Sequence, residues 1–217
     1  MFCFYWFIIS KNTLTLSYNG RGHKNPQDSN IIRNINLMDS MSRRSLDQIT
    51  DGNNNGQFHT FSLNYQKKFN NPEQELMIDA NWNMGRFNRE STQYIDYFND
   101  AYDTDVLFDK KDVTANKNNR AVVNINYSQP FTKNLRLETG YNLNYTKRQS
   151  DYDYYWHGSS LRDTATSYIF NSTEYIHALY ATLGYTYGKW SGQIGLRGEV
   201  VTNEATKEMI GKEDVSF

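Results

Sequence analysis

Along residues 135–147, LRLETGYNLNYTK, the positions Leu135, Leu137, Thr139, Tyr141, Leu143 and Tyr145 share one parity. Arg136, Glu138, Gly140, Asn142, Asn144 and Thr146 share the other. Side chains of a β-strand alternate between two faces, so this stretch predicts one long strand with an apolar and a polar side. The same period recurs along the chain. It places Leu14, Leu16 and Tyr18 together, then Phe61, Leu63 and Tyr65, then Leu76, Ile78, Ala80, Trp82 and Met84, then Val123, Ile125 and Tyr127. Two further runs carry Leu179, Ala181, Leu183, Tyr185 and Tyr187, and Ile194, Leu196 and Val200. No helix-period segment of comparable length competes with these strands.

The connections alternate in length. NNPEQ joins Phe69 to Glu75, TKN joins Phe131 to Leu135, and GKW follows Tyr187, whereas residues 22–56, 88–118 and 149–172 are long segments rich in Asn, Asp, Ser and Gly. These three are expected as loops, and the polar residues 202–217 likewise. Sequential antiparallel strands reverse direction each time, so the short turns fall at one end of the sheet and the long segments at the other.

Composition sharpens the picture. The formal net charge is -1 over 217 residues, which argues against a nucleic-acid partner. A mean hydropathy of -0.80 is low for a large packed core, yet 15% aromatic residues is high for a disordered chain. The single cysteine, Cys3, excludes an intramolecular disulfide and cysteine-based zinc or redox chemistry. The opening MFCFYWFIIS lacks the basic start and cleavage site of a signal peptide and is too short to span as a helix. It is expected to be an aromatic strand.

Alternation alone does not say whether the apolar side meets a protein core or lipid. Strands of soluble proteins run about 5 to 6 residues, whereas a tilted membrane-spanning strand needs about 9 to 11. The patterned runs reach the second length. A spanning barrel also places amphipathic rings near strand ends, and Phe69, Trp82, Phe131, Tyr145, Tyr187 and Trp190 are so positioned. The opposite side, with the charges Arg136, Glu138, Arg197 and Glu199, then faces an aqueous lumen. Low overall hydropathy is normal for such a wall, because only alternate residues touch acyl chains.

Two stretches carry a resemblance. IGLRGE at 194–199, after the GKW turn and the strand beginning EYIHALYATLGY at 174–185, resembles part of the barrel of TonB-dependent outer-membrane receptors. SKNTLTLSYNG at 10–20 resembles an earlier strand of the same barrels. The resemblance implies a full barrel of about 22 strands, an N-terminal plug domain, and an inner-membrane energy-transducing partner. This sequence shows no plug and would supply about a third of such a barrel.

Candidate chemistry is sparse. Arg136 with Glu138 and Arg197 with Glu199 are spaced two apart on the polar side, as lumen-wall ion pairs would be. Glu174 and His177 lie near each other in sequence, without a nucleophile to complete a catalytic set. Asp96, Asp100, Asp103, Asp105, Asp109 and Asp112 cluster as calcium ligands do, but without the glycine and terminal glutamate of an EF-hand loop they read as a solvated acidic loop. Tyr152, Tyr154, Tyr155 and Trp156 are a possible ligand-contact loop, with packing or an interfacial belt as the plainer reading. Asp39-Ser40-Met41 and Asp163-Thr164-Ala165 resemble a short O-glycosylation sequon.

These readings converge on an all-β, antiparallel up-and-down meander of about seven or eight long strands. Residues 1–217 then form a single segment of a transmembrane β-barrel in the outer membrane of a Gram-negative bacterium. The expected function is that of a piece of a TonB-dependent receptor for nutrient uptake, with no enzyme activity, cofactor or metal. Its expected partners are outer-membrane lipid and the rest of the barrel and plug. The alternatives are a soluble β-sandwich or lectin-like module, and a non-functional gene fragment.

Overall fold

The computed structural model describes the backbone of residues 2–9, 11–35, 44–99, 104–156, 161–211 and 215–216, and the side chains of 11–26, 49–93, 110–156 and 161–211. The strands are β1 (Phe2–Ile9), β2 (Asn12–Ile35), β3 (Arg44–Lys68), β4 (Glu75–Asn99), β5 (Thr104–Pro130), β6 (Leu135–Trp156), β7 (Tyr168–Tyr187), β8 (Trp190–Met209) and β9 (Val215–Ser216). They form one sheet in sequence order, each antiparallel to the next. The expected meander is present, with seven long strands, β2 to β8, and the aromatic opening segment as a shorter β1 on β2.

The register carries the alternation from strand to strand. Leu16, Leu63, Ala80, Val123 and Leu143 stand in one row, and the adjacent row is Thr15, Asn64, Asp79, Asn124 and Asn142. In the half of the sheet nearer the short turns, one face is therefore apolar and the other polar. No second layer covers the apolar face among the described residues. Leu179 is 63% exposed, Ile194 72% and Leu196 82%, and the buried hydrophobic side chains among the described residues are those of Tyr154 and Ala178, with Pro130 beside a turn.

The polar segments differ from expectation. Residues 22–56, 88–118 and 149–172 are mostly strand, not loop, because β2 runs to Ile35 and β3 starts at Arg44, β4 runs to Asn99 and β5 starts at Thr104, and β6 reaches Trp156. Once two strands are zipped in register, each further antiparallel pair satisfies its own backbone groups, so polar side chains on both faces do not end the ladder. The same reason corrects residues 202–209, which continue β8 against the first half of β7.

At the other end the turns are as short as the sequence implies. Tyr187 pairs with Trp190, leaving the two-residue loop Gly188-Lys189, and Gly188 has φ 59, a conformation that a Cβ would strain. The turns are also staggered. Glu75 shares a register row with Ser128, Glu138 and Thr182. The final pair of β5 and β6 is Pro130 with Arg136, two residues below that row, and the final pair of β7 and β8 is five below it. Turns lying at one level then require strands inclined by about 40° to the normal of that level.

Candidate functional site

The apolar face carries aromatic residues at two heights. Phe69 meets Tyr127 edge-on at 6.1 Å beside a turn, with the Lys67 ammonium 4.9 Å over its ring. Phe131, Tyr187 and Trp190 lie exposed at the same end. Trp82 and Tyr145 sit farther up, in a single register row with Tyr18, Phe61 and Tyr175. Neighbouring rings touch, Tyr18 with Phe61 at 4.9 Å, Phe61 with Trp82 at 6.0 Å, and Tyr145 with Tyr175 at 4.9 Å. Alternation puts Tyr18 and Phe61 on the apolar side, but neither they nor Tyr175 are among the belt residues expected from sequence. Counting outward from the short turns does not align them, because the turns are staggered: Phe61 and Trp82 lie seven residues from the turn ends of their strands, Tyr145 ten and Tyr175 twelve.

The apolar span has a measurable height. On β3 to β6, beyond Lys67 and Gln129 at the turn ends, the first amide or charged side chains on this face are Gln57, Arg86, Asn119 and Lys147, each eleven or twelve residues from the turn end of its strand; on β7 and β8 they are Asn171 and Glu204, sixteen and fourteen residues out. At about 3.4 Å per residue and an inclination of about 40°, the span across β3 to β6 is about 30 Å tall.

The polar face is a hydrogen-bonded ladder. Thr60 donates to Asn83 at 2.8 Å and Ser62 to Asn81 at 2.6 Å; Asn64 donates to Asp79, and Gln66 to Glu75. The four charges expected here lie on this face and form both expected pairs. Arg136 meets Glu138 at 2.7 Å while its Nε donates to Ser128 at 2.8 Å, and Arg197 meets Glu199 at 2.9 Å. Tyr180 was not foreseen. Its ring lies over Gly140 on β6 and its hydroxyl donates to Asn126 on β5, so one side chain ties three strands. Glu174 and His177 fall on opposite faces, and His177 pairs with the Tyr141 hydroxyl at 2.7 Å.

Beyond the apolar span the polar face continues up the strand extensions. Tyr152, Tyr154 and Trp156 share a face of β6 and Tyr155 points to the other, so the four expected to form a loop are an alternating strand end. Tyr152 stacks on Tyr168 at 5.2 Å and Tyr154 meets Trp156 edge-on at 5.1 Å. The Tyr154 amide donates to the buried Ser167 hydroxyl, and Asp112 stands opposite Tyr154 in register. Burial raises the Asp112 carboxyl above its ordinary range, against the opposing charges of Lys110 and Arg89. Burial, and then Asp112, push the Tyr152 and Tyr154 phenols upward. A carboxylate flanked by phenols and stacked rings can hydrogen-bond and stack on a polar ring-shaped ligand.

The remaining candidates resolve differently. Asp163 accepts hydrogen bonds from Ala165 N, Thr166 Oγ1 and Trp156 Nε1, which fasten residues 161–167 to β6. Asp100 and Asp103, and the side chains of Asp96, Asp105 and Asp109, lie outside the described residues, as does Asp39-Ser40-Met41. Among the described residues no three acidic, histidine or cysteine side chains converge as metal ligands.

The model of an outer membrane protein beta-barrel family matches residues 67–215, from the end of β3 past β8. No curated protein matches the chain significantly. A match over more than half of the sequence, on a sheet with one apolar and one polar face, makes this chain a member of the outer membrane protein beta-barrel family, and that membership places it in the outer membrane of a Gram-negative bacterium.

Proposed function

We propose that the chain forms part of the wall of a TonB-dependent receptor for nutrient uptake. The apolar face meets outer-membrane lipid and the polar face lines a lumen that the rest of the barrel and a plug domain complete. One observation carries this reading: strands of 20–27 residues run far past a span about 30 Å tall. That leaves a tall polar vestibule on the side opposite the short turns. A vestibule of this kind suits capture of solutes too large for passive diffusion, with Asp112, Tyr152 and Tyr154 on its inner surface. The span matches the hydrocarbon thickness of a bilayer, and the inclination matches that of outer-membrane barrels, about 35–45°. An open sheet in lipid leaves backbone groups unpaired, so more strands are needed to close the wall. In this reading the chain is a structural element of transport with no catalytic step, and energy reaches the receptor from an inner-membrane complex acting on the plug.

Sequencing the genomic DNA on both sides of the reading frame tests the proposal. The expected result is coding sequence for a plug domain upstream and for further alternating strands downstream. Flanks that encode neither overturn the receptor reading and favour a self-assembled barrel.

A further inference from the structure

On the apolar face, at the height where the apolar span ends, β4 and β5 set Arg86 directly opposite Lys117. Lys147 joins them from β6, where it faces Asn119, one alternate position along β5 from Lys117. Like charges opposite one another on a sheet repel. Among the described residues none of the three cations makes an ion pair: Glu90, higher on the same face of β4, is paired with Lys111, and Asp151, diagonal to Lys117 on β6, accepts from Gln149 instead. Arg86 and Lys117 line a recess with Gln57, His59, Met84 and Asn119.

A second recess lies directly beneath on the same strands, and it is apolar. Its floor is Ala80 and Ala121, small residues where their neighbours are large, and its walls include Leu16, Phe61, Trp82 and Val123. Ala121 and Lys117 are four residues apart on β5, about 13 Å along the strand. The two recesses therefore stack a cationic site over an apolar slot, at the level where headgroups give way to acyl chains.

We propose that this composite binds a lipid with a phosphorylated headgroup, in the leaflet on the side of the strand extensions. Arg86 and Lys117 hold the headgroup oxygens, and one acyl chain lies on Ala80 and Ala121 against Trp82. The inference rests on the apolar face being lipid-facing. Charge complementarity selects the occupant, because a neutral lipid fills the slot but leaves the opposed cations unneutralised, whereas a phosphate satisfies both by charge-assisted hydrogen bonds.

The test uses the full chain in phosphatidylcholine nanodiscs, doped with brominated-chain phosphatidylglycerol or with brominated-chain phosphatidylcholine at equal mole fraction. Bromine quenches nearby tryptophan, and the Trp82 contribution is the difference between the wild-type chain and Trp82→Phe. Half-maximal quenching of Trp82 is expected at a mole fraction about ten-fold lower for the anionic lipid. The preference should vanish in the Arg86→Gln/Lys117→Gln double variant and persist in Arg197→Gln on the polar face. Equal quenching by the two lipids in the wild-type chain overturns the proposal without need of any variant. A preference retained by a folded double variant, or abolished by millimolar inorganic phosphate, overturns it also. Quenching of Trp82 by neither lipid overturns the lipid-facing reading itself.

Discussion

The Tyr180 hydroxyl on β7 donates to Asn126 Oδ1 on β5 at 2.5 Å, and it reaches there by laying its ring over Gly140 of the intervening strand. All three residues occupy one register row. A Cβ at position 140 would stand 2.5 Å from the ring atoms, so Gly140→Ala must lift the ring and break the hydrogen bond. Gly140→Ala is expected to cost about 1–3 kcal/mol and Tyr180→Phe about 1 kcal/mol. The double variant should cost less than the sum, because both changes remove the same contact. Equilibrium urea unfolding in micelles measures all three, and strict additivity would count against the link.

Leu183 lies on the apolar face four residues from the end of β7, and Asn142 lies on the polar face, bonded to Asn124. Leu183→Arg should cost about 2–4 kcal/mol in a bilayer. Asn142→Arg should cost about 1 kcal/mol, the value of the lost hydrogen bond. Comparable losses at the two positions in vesicle refolding experiments would refute the assignment of faces.

The ion pairs of the polar face should matter little for stability. Arg136 and Glu138 are each about half exposed, and such pairs contribute at most about 1 kcal/mol. Glu138→Gln is therefore expected to leave the unfolding midpoint nearly unchanged, at low salt and at high. A loss above about 2 kcal/mol would indicate a buried partner on the lumen side.

Acid should loosen the segment after β6. The Thr166 hydroxyl and the Ala165 amide, with Trp156 and Thr166 N helping, hold the Asp163 carboxyl below its ordinary value of 3.8. A lowered carboxyl stabilises the fold above its unfolded pKa, and that contribution is lost as the pH falls through the lower, folded value. Trp156 donates to the same carboxylate, so its emission should shift only when the pH drops below about 3.8. Asp163→Asn should shift it at neutral pH. An emission change centred near pH 6 would point to a histidine instead.

Face assignment was legible from sequence because parity is a local property. Arg136, Glu138, Arg197 and Glu199 fell where alternation put them, and so did Leu183 and Asn142. Strand length was not legible, because Asn, Asp and Ser favour turns locally while a long partner strand extends the ladder regardless. That is why residues 22–35, 44–56 and 202–209 looked like loops. The Tyr180 bridge and the pairing of Arg86 with Lys117 required the register, which joins positions tens of residues apart and leaves no trace in either strand alone.

The unshifted register from β2 to β8 also limits how this wall can change over generations. A single residue gained or lost between a turn and the end of the apolar span would exchange the faces of everything beyond it, putting Asn and Asp in oil and Leu in water. Only paired insertions, or changes at the far tips, leave the colouring intact. Descendants of this chain should therefore vary freely in the reach of their hairpins while keeping the count from turn to aromatic row fixed in parity.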